Sequence, residues 1–421
     1  MNKIELIEKI EGEATLDFHL KKKEIEFVDI KFLSSRHIEN ILLEKDPLDA
    51  LVINPRVCGI CGHAHLIATV KALESCYESI EISKKAELLR ELTLNFELIQ
   101  NHFKWFYLVL MPLFGKKQNI YKATHPSQLM GKAIACVAGQ YPHNSYAIPG
   151  GITNEVLPNE LIQMENYIDQ TLAFYKQNLV DANLEQFIDC ESISKVLSKK
   201  GDLVDILLEI QKHKWEKIGK SYDRFIVFGK NSYFNEGRGV STRINHKLNP
   251  KYIYEFTNEH SQAKNVKFKK YYYEVGPLAR AMINKTALIK DSHRKYQDSI
   301  FSRVLARVCE IPQLLIHSKK LLKEIDLNEP SFIEPKTPMS EIIGSGIGAV
   351  EAARGSLVHK VSIEKNKIKD YQIITPTQWN LSNGTKEDLG VSQKAMVGLK
   401  DIELAQKVFK TFDVCSVCTT H

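Results

Sequence analysis

Apolar residues recur at helical spacing over residues 84–111. Leu88, Leu89, Leu92, Phe96, Ile99, Phe103, Phe106 and Leu110 share one face, and Pro112 ends the run. The same period predicts helices from Ala64 to Tyr77, over 158–182, over 284–325 as one or two helices, and over about 391–411. A short helix is expected at 36–46, broken at Asp46-Pro47. Alternation from Thr15 to Leu20 and from Glu24 to Val28 makes the start of the chain β-rich. Short strands are expected around Phe225 to Phe228, Leu357 to Ile363 and Tyr371 to Ile374. The stretch 202–260 is mixed, 339–380 carries glycine-rich turns, and Pro149-Gly150-Gly151 is a turn. There is no repeat, low-complexity tract or long linker. The pattern predicts an α+β fold, mainly helical, as a single composite domain over 1–421 with an N-terminal β-rich segment 1–35 and a C-terminal segment 391–421.

Composition narrows the function classes. The 421 residues are 43% hydrophobic and 26% charged with a formal net charge of +6, ordinary for a globular chain. Lys21-Lys22-Lys23 and Lys267-Phe268-Lys269-Lys270 are too short to read as a nucleic-acid surface, even with Tyr271-Tyr272-Tyr273 beside the second. No segment reaches the roughly 18 apolar residues of a membrane helix, and the N-terminus lacks a signal-peptide core, so no direct membrane insertion is expected. Eight cysteines in this length do not suggest a disulfide framework. Cys76, Cys136, Cys190 and Cys309 stand alone and are expected as small buried side chains.

The other four cysteines form two C-x-x-C pairs, Cys58/Cys61 and Cys415/Cys418, more than three hundred residues apart. One metal centre on four thiolates requires the fold to bring these distant segments together. Thiolates select soft metals. A closed structural zinc and an iron–sulfur cluster are both open on the cysteines alone. The flanks change the picture: Arg56 and His65 surround the first pair, Asp413 and His421 the second. Charged and imidazole neighbours that tune sulfur basicity and carry protons belong around a catalytic metal.

With these flanks the pattern R-x-C-G-x-C-x-x-x-H early, and D-x-C-x-x-C-x-x-H late, resembles the large subunit of nickel–iron hydrogenases. Further matches follow in order: Lys9-Ile10-Glu11-Gly12-Glu13, Arg36-His37-Ile38-Glu39, His143 with Pro149-Gly150-Gly151, Glu274 through Arg280, Glu351-Ala352-Ala353-Arg354-Gly355 with His359, and Pro376-Thr377-Gln378-Trp379-Asn380. The resemblance covers almost the whole chain. It implies a fold of long central helices with small peripheral β-sheets, and reversible cleavage of H2 at a Ni-Fe(CN)2(CO) centre. By similarity Cys58 and Cys415 bind nickel, and Cys61 and Cys418 bridge nickel to iron. Arg354 hangs over the open metal position, with Asp413 as its carboxylate partner. Pro376 and Thr377 contact a cyanide, His65 supports a bridging sulfur or cyanide, and Glu11 relays protons. Glu39 and His421 hold a second ion, magnesium or another divalent metal, near the C-terminus.

The resemblance also implies a partner. The chain has no further cysteine cluster for a relay, hence no Fe-S cluster of its own, so electrons leave through a hydrogenase small subunit carrying iron–sulfur clusters; the pair can join into a higher oligomer of heterodimers. Val414 and Ala353 stand where the family commonly has proline, and Asn101 precedes His102 where relatives often have Ser or Asp. These variants are most like the cytoplasmic uptake or sensor branch. A cytoplasmic location is therefore expected, with membrane association or export alongside the small subunit as the alternative. The functional alternative is a regulatory H2 sensor with the same centre and slow turnover. The ending at His421 is expected to be a processed or directly encoded terminus beside the metal.

Overall fold

Two long helices, Lys84–Lys104 and Ile300–Glu324, lie against each other at the centre of the fold. The helices Ile120–Ala138 and Pro158–Asn178 complete the helical layer: each lies against the other, the first also against Lys84–Lys104 and the second also against Ile300–Glu324. The architecture comes from a computed structural model, which describes residues 2–9, 12–32, 35–257 and 261–415, with side chains from Ala14 onward. Glu11, Cys418 and His421 lie outside the described residues. The apolar stripe read from Leu88 to Phe106 is buried. Ser83 caps the first turn by accepting the Ala86 amide at 3.1 Å, which fixes where the helix begins. Its far end does not stop at once. It continues as a π-helical turn, Trp105–Leu110, into a short helix, Met111–Leu113.

Small antiparallel sheets flank the helices. One pairs Asn2–Lys9, Gly12–Lys21 and Glu24–Phe32 in order. Another pairs Gly344–Ala352, Gly355–Glu364 and Lys367–Ile374. The strand Gly344–Ala352 falls where glycine-rich turns were expected. Its glycines serve contact: a Cβ at Gly346 would lie 2.0 Å from Ala72 O, and one at Gly348 2.1 Å from Ala68 O. The strand thus rests directly on the backbone of the helix Gly62–Glu74, which follows Cys61.

The last predicted helix divides in two. Val391–Met396 ends before Gly398, whose φ of 87° favours glycine, and Ile402–Thr411 restarts where Asp401 accepts the Glu403 amide at 2.8 Å. The intervening backbone pairs with the N-terminal sheet: Gly398 N–H donates to Ile25 O, and Ile25 N–H to Leu399 O, both at 2.8 Å. One hydrophobic cluster then runs from Ala14 to Val414. Among the described residues no helix is long and apolar enough to cross a membrane. Of the solitary cysteines only Cys309 is buried; Cys76, Cys136 and Cys190 are half-buried, at or near the ends of their helices or just beyond them.

Candidate metal centre

Three of the four predicted sulfur ligands meet in one buried cluster. Cys58, Cys61 and Cys415 lie together with Val57, with Ile38 and Ile60 packed against them. Cys58 Sγ and Cys61 Sγ are 2.6 Å apart, longer than the roughly 2.05 Å of a disulfide bond. The Cys61 thiol is also within hydrogen-bond reach of Cys415. These two thiol partners, with burial, hold its pKa well above its ordinary value. Thiols crowded in this way resist joint ionisation until a cation shares them.

The first pair sits in a clamped turn. Arg36 Nη1 donates to Val57 O at 2.7 Å and His143 Nδ1 lies 3.2 Å from Pro55 O. Asn101 Nδ2 donates to Ile60 O at 3.0 Å. One turn earlier on the same helix, Glu97 accepts the His63 and Ala64 amides, both at 2.9 Å. These are orphan donors at the start of the Gly62–Glu74 helix, and a carboxyl there satisfies two of them. Burial pushes the Glu97 carboxyl up to about 7 against those two hydrogen bonds. Glu97 was not read from the sequence; the available signal was an acidic residue on an otherwise buried helix face, one turn before Asn101. Arg56, by contrast, is exposed and tied to Val52 O at the surface.

Arg354 and Asp413 pair as expected. Arg354 Nε lies 3.3 Å from Asp413 Oδ2 and donates to Asp413 O at 3.2 Å. Burial opposes the guanidinium charge, but Asp413, Cys415, Cys61 and Cys58 outweigh it and hold its pKa well above the ordinary value. A second arginine was missed: Arg307 Nη1 donates to Asp413 Oδ2 at 3.1 Å and stacks 4.7 Å over the Trp105 ring. Burial pulls Arg307 down to about 10, with Asp413 acting against the fall and Arg354 adding to it.

The motifs around Arg354 form its foundation. Arg280 donates through Nε to Glu310 Oε1 at 2.8 Å and through Nη1 to Glu351 Oε2 at 3.1 Å. It also donates to Ala352 O at 2.9 Å and Ala353 O at 3.3 Å, gripping the backbone just before Arg354. His102 Nε2 lies 2.7 Å from Glu310 Oε2. Burial alone would raise Glu310, but Arg280 and His102 bring it down to about 2. Arg303 forks onto Glu274 with two bonds of 2.8 Å. The helix Ile300–Glu324 therefore turns Arg303, Arg307 and Glu310 onto one buried face, the spacing of one helical side.

Other predicted residues take distinct places. His65 is buried with Nδ1 3.0 Å from His359 Nε2; burial lowers its pKa to about 4, while Cys415 pulls the other way. Pro376 opens the helix Pro376–Asn380, whose Asn380 accepts Val275 N–H at 3.0 Å. Val275 precedes Gly276, and a Cβ there would lie 2.8 Å from Arg354 O, so this helix borders the Arg354 wall. Thr377 Oγ1 and Arg354 Nη1 are buried without a hydrogen-bond partner among the described residues. Buried polar atoms are rarely left so. An orphaned donor on Arg354, beside the clustered sulfurs, and a second on Thr377, in the helix bordering the Arg354 wall, fit a bound group with acceptor ligands. Glu39 is buried, with Oε2 accepting Lys264 Nζ at 2.6 Å and Oε1 accepting Ile373 N–H at 2.8 Å. Burial raises nearby Glu255 to about 7, Lys264 opposing and Glu39 assisting.

The profile of the nickel-dependent hydrogenase family matches residues 36–112 and 190–421, so the chain belongs to the nickel-dependent hydrogenases. It is the large subunit of such an enzyme, an oxidoreductase, and the family implies a nickel–iron centre and a small-subunit partner. Among its relatives, sulfhydrogenase 2 subunit alpha of Pyrococcus furiosus is 25% identical over 98% of this chain and 97% of its own. Coenzyme F420 hydrogenase subunit alpha of Methanothermobacter thermautotrophicus is 24% identical over 92% and 85%. The reduced Ni-Fe-Se hydrogenase of D. vulgaris Hildenborough superposes with a TM-score of 0.85 at 21% identity, covering 100% of both chains.

Proposed function

We propose that this subunit cleaves H2 reversibly and heterolytically on a Ni-Fe(CN)2(CO) centre held by Cys58, Cys61, Cys415 and Cys418. The observation that carries the proposal is the Arg354–Asp413–Arg307 cluster buried against the sulfurs. When bound, the metal pair supplies the Lewis acidity that polarises H2. The protein supplies the rest. Asp413 and the backbone grip of Arg280 fix the Arg354 guanidinium beside the cysteine sulfurs, as a preorganised, buried positive charge. With its charge held so firmly, Arg354 acts through its field and its hydrogen bonds rather than as a ready base. The Thr377 hydroxyl and Arg354 Nη1, buried without partners among the described residues, would be available to donate to a diatomic ligand.

Proton exit is assigned to Glu11, receiving from Cys415 or Cys418. Electrons pass to a small subunit whose iron–sulfur clusters complete the path. A divalent ion at Glu39 and His421 would have to share Glu39 with Lys264. The test is H2-dependent reduction of an artificial acceptor by the chain purified anaerobically with its small subunit. Nickel-loaded protein that neither oxidises nor evolves H2 would reject the proposal, and slow, signalling-coupled turnover would replace the enzyme by the sensor.

A further inference from the structure

The segments flanking the first cysteine pair carry a closed run of hydrogen bonds among five buried side chains. His65 Nδ1 lies 3.0 Å from His359 Nε2, and His359 Nδ1 lies 2.8 Å from the Tyr371 hydroxyl. Asn54 Nδ2 lies 2.8 Å from both the Tyr371 hydroxyl and Thr69 Oγ1, and Thr69 Oγ1 lies 2.7 Å from the His65 carbonyl. All five residues are at most 2% exposed. They come from four separate elements: the segment before Cys58, the helix after Cys61, and two strands of the sheet Gly344–Ile374.

The direction of every bond can be worked out from one fixed point. A backbone carbonyl only accepts, so Thr69 spends its single proton on His65 O. Thr69 Oγ1 must then accept from Asn54, which makes the Asn54 atom an amide nitrogen. That nitrogen's second hydrogen goes to the Tyr371 oxygen. Tyr371 is left with its own proton to give. Its short contact is with His359 Nδ1, at 2.8 Å; Thr69 Oγ1 is more distant, at 3.3 Å. A phenol is the stronger donor and an imidazole nitrogen the stronger acceptor of that pair, so Tyr371 donates. His359 then carries its proton on Nε2 and gives it to His65 Nδ1. The one nitrogen left on His65 is Nε2, which must hold the proton.

We infer that Tyr371, through His359 and locked by Asn54 and Thr69, is a positioning residue that fixes His65 in the Nε2–H tautomer. His65 stands one helical turn after Cys61, its backbone N–H donating to Cys61 O at 3.4 Å, so the residue belongs to the helix that carries the first cysteine pair. A donor fixed beside a thiolate ligand lowers sulfur basicity and steadies the anionic form. Its orientation toward a bound metal group rests on the proposed hydrogenase centre; the tautomer itself does not.

The test uses the full chain labelled with 15N-histidine, with the two ring nitrogens of His65 distinguished by their chemical shifts and long-range couplings to the ring protons. The wild-type spectrum is expected to show His65 protonated on Nε2 and bare on Nδ1. In Tyr371→Phe the donor is gone, His359 Nδ1 can give its proton to Thr69 at the 3.3 Å contact, and the chain reverses. The expected result is loss of the His65 Nε2–H signal in favour of Nδ1–H, with the folded fraction checked by circular dichroism. A wild-type His65 protonated on Nδ1, or a folded Tyr371→Phe chain with unchanged His65 shifts, overturns the inference. If the variant does not fold, the wild-type tautomer alone decides. Nickel content, measured separately on the assembled complex, decides the hydrogenase proposal. A chain without nickel and with the Nε2–H tautomer would reject that proposal and keep this one.

Discussion

Arg354 shows how a buried charge is kept useful. Its guanidinium faces three thiols and one carboxylate, and Arg280 holds the two carbonyls that precede it. Arg354→Lys keeps the charge but loses the planar fork that meets Asp413 and still presents Nη1. We expect H2 oxidation to fall by about 10²-fold with nickel content unchanged, in line with the loss of one preorganised donor; assays paired with elemental analysis check it. Glu97 gives a pH prediction. Its carboxyl stands near 7 in the fold against an ordinary 4.5, so the folded state binds its proton more tightly. That contribution is complete below about 4.5 and is lost as the pH rises through 7, on the order of 3 kcal/mol in all. In Glu97→Gln this part of the pH dependence disappears. The midpoint of urea unfolding, compared at pH 5 and pH 8, is expected to shift less in the variant than in the wild type.

At the scale of elements, the glycines of the strand Gly344–Ala352 control how closely it approaches the helix that carries the first cysteine pair. Gly348→Ala would bring a Cβ to 2.1 Å from Ala68 O and 2.4 Å from Ala72 N. We expect about 1–3 kcal/mol of destabilisation from overpacking, read from denaturant unfolding. Reduced nickel retention is expected with it, because the helix Gly62–Glu74 begins one residue after Cys61. This strand also marks a boundary of what could be read from sequence. Gly344, Gly346 and Gly348 look like turn residues one by one, yet their spacing of two is that of one strand face against a close neighbour. The stripe from Leu88 to Phe106 was legible because its period and its burial agree. The helix Ile120–Ala138 was not, since Pro126 and Gly131 interrupt its pattern.

Across the whole molecule, the fold joins residue 58 to residue 415 by closing the helical layer and three-stranded sheets around them. Cys58, Cys61, Cys415, Arg354, Asp413 and His65 each stand inside a local motif, which is why the sequence could single them out. Arg307, Glu97, Tyr371 and Lys264 were not singled out, because their partners are 106, 33 or 34, 12 and 317, and 225 residues away in sequence. Among the described residues Cys76, Cys136, Cys190 and Cys309 lie dispersed, and the family implies a small-subunit partner. Separation from the small subunit is expected to abolish reduction of acceptors while leaving nickel bound, a result that activity and metal assays on the split complex would register.

A nickel–iron centre on two distant cysteine pairs leaves a direct mark on the environment of the nickel. Nickel-edge X-ray absorption on the anaerobically assembled complex tests it most directly. Nickel is expected with a shell of sulfur ligands and an iron neighbour, the sulfur shell losing members in Cys58→Ser. Nickel surrounded only by nitrogen and oxygen, or with no iron near it, would contradict it.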